Sequence, residues 1–150
     1  MDKTAAVNAA FGDQFEISTD RARLQIEVIH GYLSQESYWA AGRPLEKTLR
    51  AIENSLCFGL YRGGDQIGFA RIVTDYATFA YLGDVFVLGE FRGMGLSKWL
   101  MDTIISHPDL QGLRRWILAT RDAHGLYEKF GFSALRFPER WMERPAPDAY

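Results

Sequence analysis

The sequence predicts a single α/β domain built on a mixed sheet with helices on both faces, and three observations carry that expectation. Two apolar runs, 56–62 and 66–74, are joined across Gly63-Gly64-Asp65, a short glycine-bearing connection typical of a hairpin. A third strand pattern at 80–87 passes through a glycine turn into an amphipathic stretch at 93–106. The remaining chain alternates strand-like and helix-like segments, as sheets covered on both sides do.

Taken in order, 15–18 reads as a short strand. Thr19 or Asp20 is placed to cap a helix running towards Gly31, with Leu24, Val28 and Ile29 on its buried side. The segment 30–39 is aromatic and polar without a clean period, and Pro44 suits the first turn of a second helix reaching Asn54. The hairpin and the 80–87 strand follow. The helix at 93–106 carries Leu96, Trp99, Leu100 and Ile104 as one apolar stripe. A strand at 116–119 and a short helix at 124–130, stopped by Gly131, come next. Final strands are expected at 133–137 and 140–143, with a loose proline-containing tail at 144–150.

Composition narrows the functional classes. The 150 residues suit one domain, and 47% hydrophobic residues, among them ten Phe, seven Tyr and four Trp, supply a core without disulfides or structural metal. A net charge of -2 provides no broad basic field for nucleic acid or anionic lipid. The single cysteine, Cys57, lies in an apolar strand and reads as a small buried hydrophobe rather than a nucleophile. Residues 1–10 lack the basic and apolar regions of a leader, and no apolar run is long enough to span a bilayer, so a cytoplasmic protein is expected.

The chemistry-bearing feature is the turn Arg92-Gly93-Met94-Gly95-Leu96-Ser97-Lys98 between strand and helix. The first turn of a helix leaves N–H groups unpaired and concentrates positive partial charge, and glycines let phosphate oxygens approach that backbone. The same glycines equally serve a plain tight turn. A triphosphate-binding loop is excluded because Lys98 follows Ser97 instead of preceding it, and a dinucleotide fingerprint because the motif comes late in the chain and lacks its third glycine.

These residues resemble the GCN5-related N-acetyltransferase (GNAT) family. Its Arg/Gln-x-x-Gly-x-Gly/Ala motif is similar to Arg92 through Ser97, with Ser97 in place of the last small residue. Downstream, Ala123-His-Gly-Leu-Tyr-Glu-Lys-Phe-Gly-Phe132 is similar to the family's Ala-x-x-Leu-Tyr-x-Lys-x-Gly-Phe segment. Gly89 stands where the family commonly has proline, and Thr120, Arg121 or Asp122 where it usually has asparagine.

The resemblance implies a mostly antiparallel sheet with a splayed central strand pair, acetyl-CoA as co-substrate and no metal. It places the pyrophosphate on Arg92, Gly93, Met94, Gly95, Leu96, Ser97 and Lys98, and the pantetheine arm and acetyl carbonyl on the backbone of Phe86, Val87 and Leu88. It implies direct transfer to an amine in a ternary complex, with Tyr127 protonating the departing thiolate: an ordinary phenol is neutral at pH 7. Asp84 is the expected base, provided a bulge adjusts its strand; a purely structural carboxylate is the competing role. Glu27, His30 and Glu36 compete as bases, and His124 and Lys129 could approach the cofactor.

His30, Tyr32, Tyr38, Trp39, Asp75 and Tyr81 are expected to shape the acceptor pocket, with nearby acids favouring a cation. The acceptor expected is a small-molecule amine, with a protein or peptide amine also open. Longer acyl-CoA substrates, and a non-catalytic acyl-CoA sensor, are the alternatives. Nothing in the sequence decides between monomer and homodimer.

Overall fold

The computed structural model describes Phe11 and residues 14–150; the stretch 1–10, expected not to be a leader, lies outside the described residues. Five strands, β1 (Phe15–Ser18), β2 (Leu56–Arg62), β3 (Asp65–Thr74), β4 (Phe79–Val87) and β5 (Arg115–Leu118), form one sheet in sequential order. The first four run antiparallel to their neighbours, and β5 lies parallel to β4. Helices α1 (Ile26–Gln35), α2 (Leu45–Glu53), α3 (Leu96–Ile105) and α4 (His124–Glu128) complete the α/β domain.

The two sheet faces bury different helices. On one, Ile29, Leu33 and Ile52 from α1 and α2 pack with Phe69 and Phe86. On the other, Leu100, Met101 and Ile104 from α3 and Tyr127 from α4 pack with Phe58, Ala80 and Leu82. The apolar stripe of α3 is therefore wholly spent on core.

Local chemistry shifts several boundaries. Asp20 caps a 3-10 turn at Arg21–Arg23, its Oδ1 accepting from the Ala22 N–H at 3.0 Å. Helix α1 starts later because the Gln25 N–H donates to the Gln66 side chain at 2.7 Å, a clamp from the distant hairpin that local sequence does not announce. The final strands expected at 133–137 and 140–143 do not form. Pro138 begins a 3-10 turn at Pro138–Arg140, and the segment is held by side chains instead, with Arg140 on the Phe137 ring at 3.9 Å and Arg115 on Trp141 at 4.7 Å. The tail at 144–150 is exposed, but Tyr150 packs against Arg43 and Lys47.

Two irregularities in β4 position the site. Its pairing with β5 runs from Phe79 opposite Arg115 to Leu82 opposite Leu118 and stops there, so the two strands separate and the β4 edge beyond Leu82 has no strand beside it. At the same point Ala70 of β3 faces two residues, Asp84 and Val85, because the register jumps from Arg71–Gly83 to Phe69–Phe86. This is a β-bulge, with Asp84 at φ +52 as its extra residue. The bulge turns Asp84 towards the side of Phe86 and the α1–α2 layer, while Val85 faces the α3 core.

Candidate active site

A cavity of about 600 Å³ opens where β4 and β5 separate, floored by Gly83, Asp84 and Val85 on one side and Leu118, Ala119 and Thr120 on the other. Tyr38, Trp39, Arg43, Arg71 and Tyr81 wall it, Tyr127 reaches it from α4, and Tyr150 covers one end. Of the residues expected to meet the acceptor, Tyr38, Trp39 and Tyr81 line this cavity.

Others are placed elsewhere, each for a visible reason. The Asp75 carboxylate accepts hydrogen bonds from the Ala77, Thr78 and Phe79 N–H groups and from the Thr78 hydroxyl at 2.6 to 3.1 Å. Those bonds, the Thr78 hydroxyl first, hold it well below the usual carboxylate range and consume it as a turn former. The Asp-x-x-Thr spacing is the signal that could have identified that role. The Nδ1 of His30 is paired with Thr48 Oγ1 at 2.9 Å between α1 and α2, outside the cavity lining. Tyr32 stacks on Phe86 with ring centroids 4.1 Å apart, and its hydroxyl accepts from Arg92 Nη2 at 2.7 Å. Glu27 and Glu36 are exposed and line no part of the cavity.

The electrostatic centre is Asp84. Its side chain is 3% exposed and takes Arg43 Nη1 at 2.9 Å, Arg43 Nη2 at 3.2 Å, Arg71 Nε at 2.8 Å and Trp39 Nε1 at 3.0 Å. Burial alone would raise the Asp84 carboxyl, but hydrogen bonds and charge from Arg43 and Arg71 outweigh it and hold the group below the usual range. A carboxylate held this firmly is a weak proton acceptor. The expectation of Asp84 as base thus meets a geometry that makes it an anchor for two cationic side chains. Arg43 and Arg71 were not anticipated as site residues, since they lie 41 and 13 positions from Asp84 and no local pattern links them.

Tyr127 is buried, and desolvation pushes its phenol up to about 12, with Tyr38 and Asp122 adding to the shift. It therefore stays protonated throughout the physiological range. Tyr127 packs in the core on the α3 face and lines the same cavity as Asp84.

At the far end of β4, Gly93 and Gly95 adopt φ +81 and +85, left-handed angles that lead into α3 at Leu96. Among the described residues, no protein acceptor takes the N–H groups of residues 93–98, the first helical bond being Trp99 N–H to the Gly95 carbonyl. Among the described residues, a Cβ built on Gly93 would meet nothing within 4 Å, and one on Gly95 would meet only Phe11, at 3.8 Å. Arg92 folds back, donating from Nε to the Val87 carbonyl at 3.1 Å. Its charge adds to the turn while its guanidinium braces the end of β4. Phe86 and Val87 are buried, Leu96 is core, Met94 and Lys98 are exposed, and the Leu88 N–H donates to the Ile67 carbonyl at 2.8 Å. Lys129 follows α4 close enough to Lys98 that hydrogen bonding and charge from Lys98 lower its pKa. Among the described residues, no group of three or more His, Cys, Asp or Glu could hold a metal ion, and no helix is long and apolar enough to cross a membrane.

Comparison with known proteins agrees with this arrangement. The model of the acetyltransferase (GNAT) family matches residues 26–132. A candidate acetyltransferase of Gibberella zeae is 36% identical over 148 residues, covering 84% of this chain and 82% of the relative. A solved structure of a candidate GNAT acetyltransferase from Xanthomonas campestris pv. campestris is 57% identical, covers 89% of this chain and 94% of its own, and superposes with a TM-score of 0.87. A Clostridium acetobutylicum protein solved with acetyl-CoA shares the fold at 14% identity, with a TM-score of 0.61 over 87% of this chain and 94% of its own.

Proposed function

The chain belongs to the GNAT family of acetyltransferases, and on that premise we propose that it moves the acetyl group of acetyl-CoA directly onto an amine. The observation that carries this is the pairing of two features on one strand: a glycine turn whose N–H groups at residues 93–98 have no acceptor among the described residues, and a β4 edge beyond Leu82 with no strand beside it. A diphosphate suits the first, because backbone donors and a helix N-terminus favour anionic oxygens. An amide-bearing arm suits the second, because it can add to the open strand edge as another strand would. Lys98 and Lys129, adjacent and without a carboxylate partner among the described residues, supply further positive charge beside the turn.

The transfer then needs one bond made, one broken and one proton relocated. The acceptor nitrogen attacks the thioester carbon, whose oxygen becomes negative and is stabilised by backbone N–H groups; one such donor is typically worth roughly 3 kcal/mol. As the carbon–sulfur bond breaks, the sulfur keeps the electron pair. Tyr127, with its pKa pushed up to about 12, is a hydrogen-bond donor at that sulfur at every working pH. Full proton loss from so weak an acid to a thiolate is uphill, so the proton it gives is replaced from the nitrogen that has just become positively charged. The ionisation of Asp84 is committed to Arg43 and Arg71. The amine therefore enters in its free-base form, having lost its first proton to solvent.

The test is binding followed by turnover. Coenzyme A is expected to raise the melting temperature, and Gly95→Glu to abolish that shift, because the new side chain crowds the turn and φ +85 strains any L residue. An amine panel read by thiol release then tests transfer. Absence of any coenzyme A stabilisation of the unaltered chain refutes the proposal.

A further inference from the structure

The side-chain charges lining the acceptor cavity do not balance. Arg43 and Arg71 share the one carboxylate of Asp84, leaving one positive charge in excess, while Arg121 and Asp122 pair with each other at 3.7 Å. A diamine or polyamine would bring a second ammonium group into this cavity and find no free carboxylate there. The excess is concentrated at one end. Arg43 Nη2 divides between Asp84 Oδ1 at 3.2 Å and the Tyr150 hydroxyl at 3.4 Å, and Lys47 adds its ammonium 5.2 Å from the Tyr150 ring. Tyr150 is half-exposed and, among the described residues, tied by this one long hydrogen bond and by ring contacts, so it is a displaceable cover presenting an oxygen to a buried guanidinium.

Building on the transfer reaction above, we propose that the acceptor is an amine bearing its own anionic oxygen group, a carboxylate or a phosphate, which docks on Arg43 where the Tyr150 hydroxyl now sits. The amine end then points along the cavity towards the gap in which Tyr127 stands. Asp84 holds Arg43 and Arg71 in place without cancelling both, which is what leaves a net positive seat for the anion. This differs from the expectation that nearby acids favour a cation; of the acids considered there, Asp75 does not line the cavity.

The experiment compares compounds matched in all but charge: an amino acid against its primary amide, ethanolamine phosphate against ethanolamine, and putrescine as a dication. Each is measured by thiol release with the full chain, and by calorimetric binding to the coenzyme A-loaded protein, which reports whether or not transfer occurs. One anionic compound is expected to exceed its neutral partner by about 10- to 100-fold in kcat/KM or affinity, the range of a charge-assisted hydrogen bond; whether the carboxylate or the phosphate arm does so identifies the group. Arg43→Lys, which keeps the charge and loses the fork, is expected to shrink that ratio. Tyr150→Ala, at a half-exposed position outside the fold's core, is expected to lower KM for the anionic compound.

Neutral amines or putrescine handled as well as the anionic compounds would overturn the inference while leaving acetyl transfer intact. So would failure of every anionic compound to bind in the calorimeter. Anionic amines that bind but are never acetylated would uphold the seat and refute the transfer reaction.

Discussion

Replacing Asp84 with asparagine separates charge from shape at the most constrained point of the molecule. Asparagine has the same size, tolerates a left-handed angle such as the φ +52 found here, and still offers an oxygen to the Trp39 indole. What it removes is the counter-charge for Arg43 and Arg71, whose side chains are only 8% and 15% exposed, and its amide hydrogens point at guanidinium donors. Stranding one side of a buried ion pair costs about 3–5 kcal/mol, against about 0–1 kcal/mol for an exposed pair. Urea unfolding at pH 7 should therefore show a midpoint lower by about 2 M for a slope near 2 kcal/mol/M. Because the folded carboxyl titrates below its unfolded value, near 3.9 for an ordinary aspartate, its stabilisation is complete above that value and is lost as pH falls through the lower, folded one. The gap between Asp84→Asn and the unaltered chain should thus be constant near neutrality and narrow only below about pH 4. A loss under about 1 kcal/mol, in the range of an exposed pair, or a gap that does not narrow in acid, refutes the anchor role. An intact fold that has lost turnover would instead restore Asp84 as a base.

Tyr127→Phe is expected to keep coenzyme A binding and lower kcat by about 100-fold; unchanged turnover rejects the donor role. With Tyr127 near 12, the rate should rise with pH as the acceptor amine deprotonates and show no falling limb from the tyrosine below about pH 11, the residue's own value setting that limit. Gly59→Ala should destabilise the fold by about 1–3 kcal/mol in chemical denaturation, because the added Cβ would collide with the buried Tyr61 side chain of the same strand. Cys57, buried and pushed up to about 11 chiefly by desolvation, should resist a thiol reagent until the protein unfolds; fast labelling of the native state would contradict its placement.

The legible parts of this molecule are those in which neighbouring residues dictate conformation. The β2–β3 hairpin follows from Gly63-Gly64 between apolar runs, and the α3 stripe and the glycine turn are likewise local patterns. The Asp84 cluster is different in kind. Its members come from the α1–α2 connection, β3 and β4, and only the fold brings them together. The bulge that aims Asp84 was conceivable from its three-residue distance to Val87, yet its position depends on the register with β3. The strands expected at 133–137 and 140–143 do not form for an opposite reason, since Pro138 interrupts the stretch between them and Arg–aromatic stacking holds the segment. Asp75 was misplaced because residue type alone cannot distinguish a turn carboxylate from one aimed into a pocket.

The parting of β4 from β5 after Leu82 also bears on how the protein survives between catalytic cycles. A row of unpaired peptide groups in mid-sheet is chemically the same as an exposed sheet edge, the kind of surface on which chains add to one another and aggregate. Ordinary edges are blunted by lysine, proline or added charge, but none of these can stand here without obstructing the co-substrate. The protection is geometric: the opening is recessed, bent at Asp84 and flanked by Tyr127. Whatever occupies the cleft also shields this edge, so on the proposed function the supply of acyl-CoA would govern the protein's resistance to self-association as well as its rate of turnover.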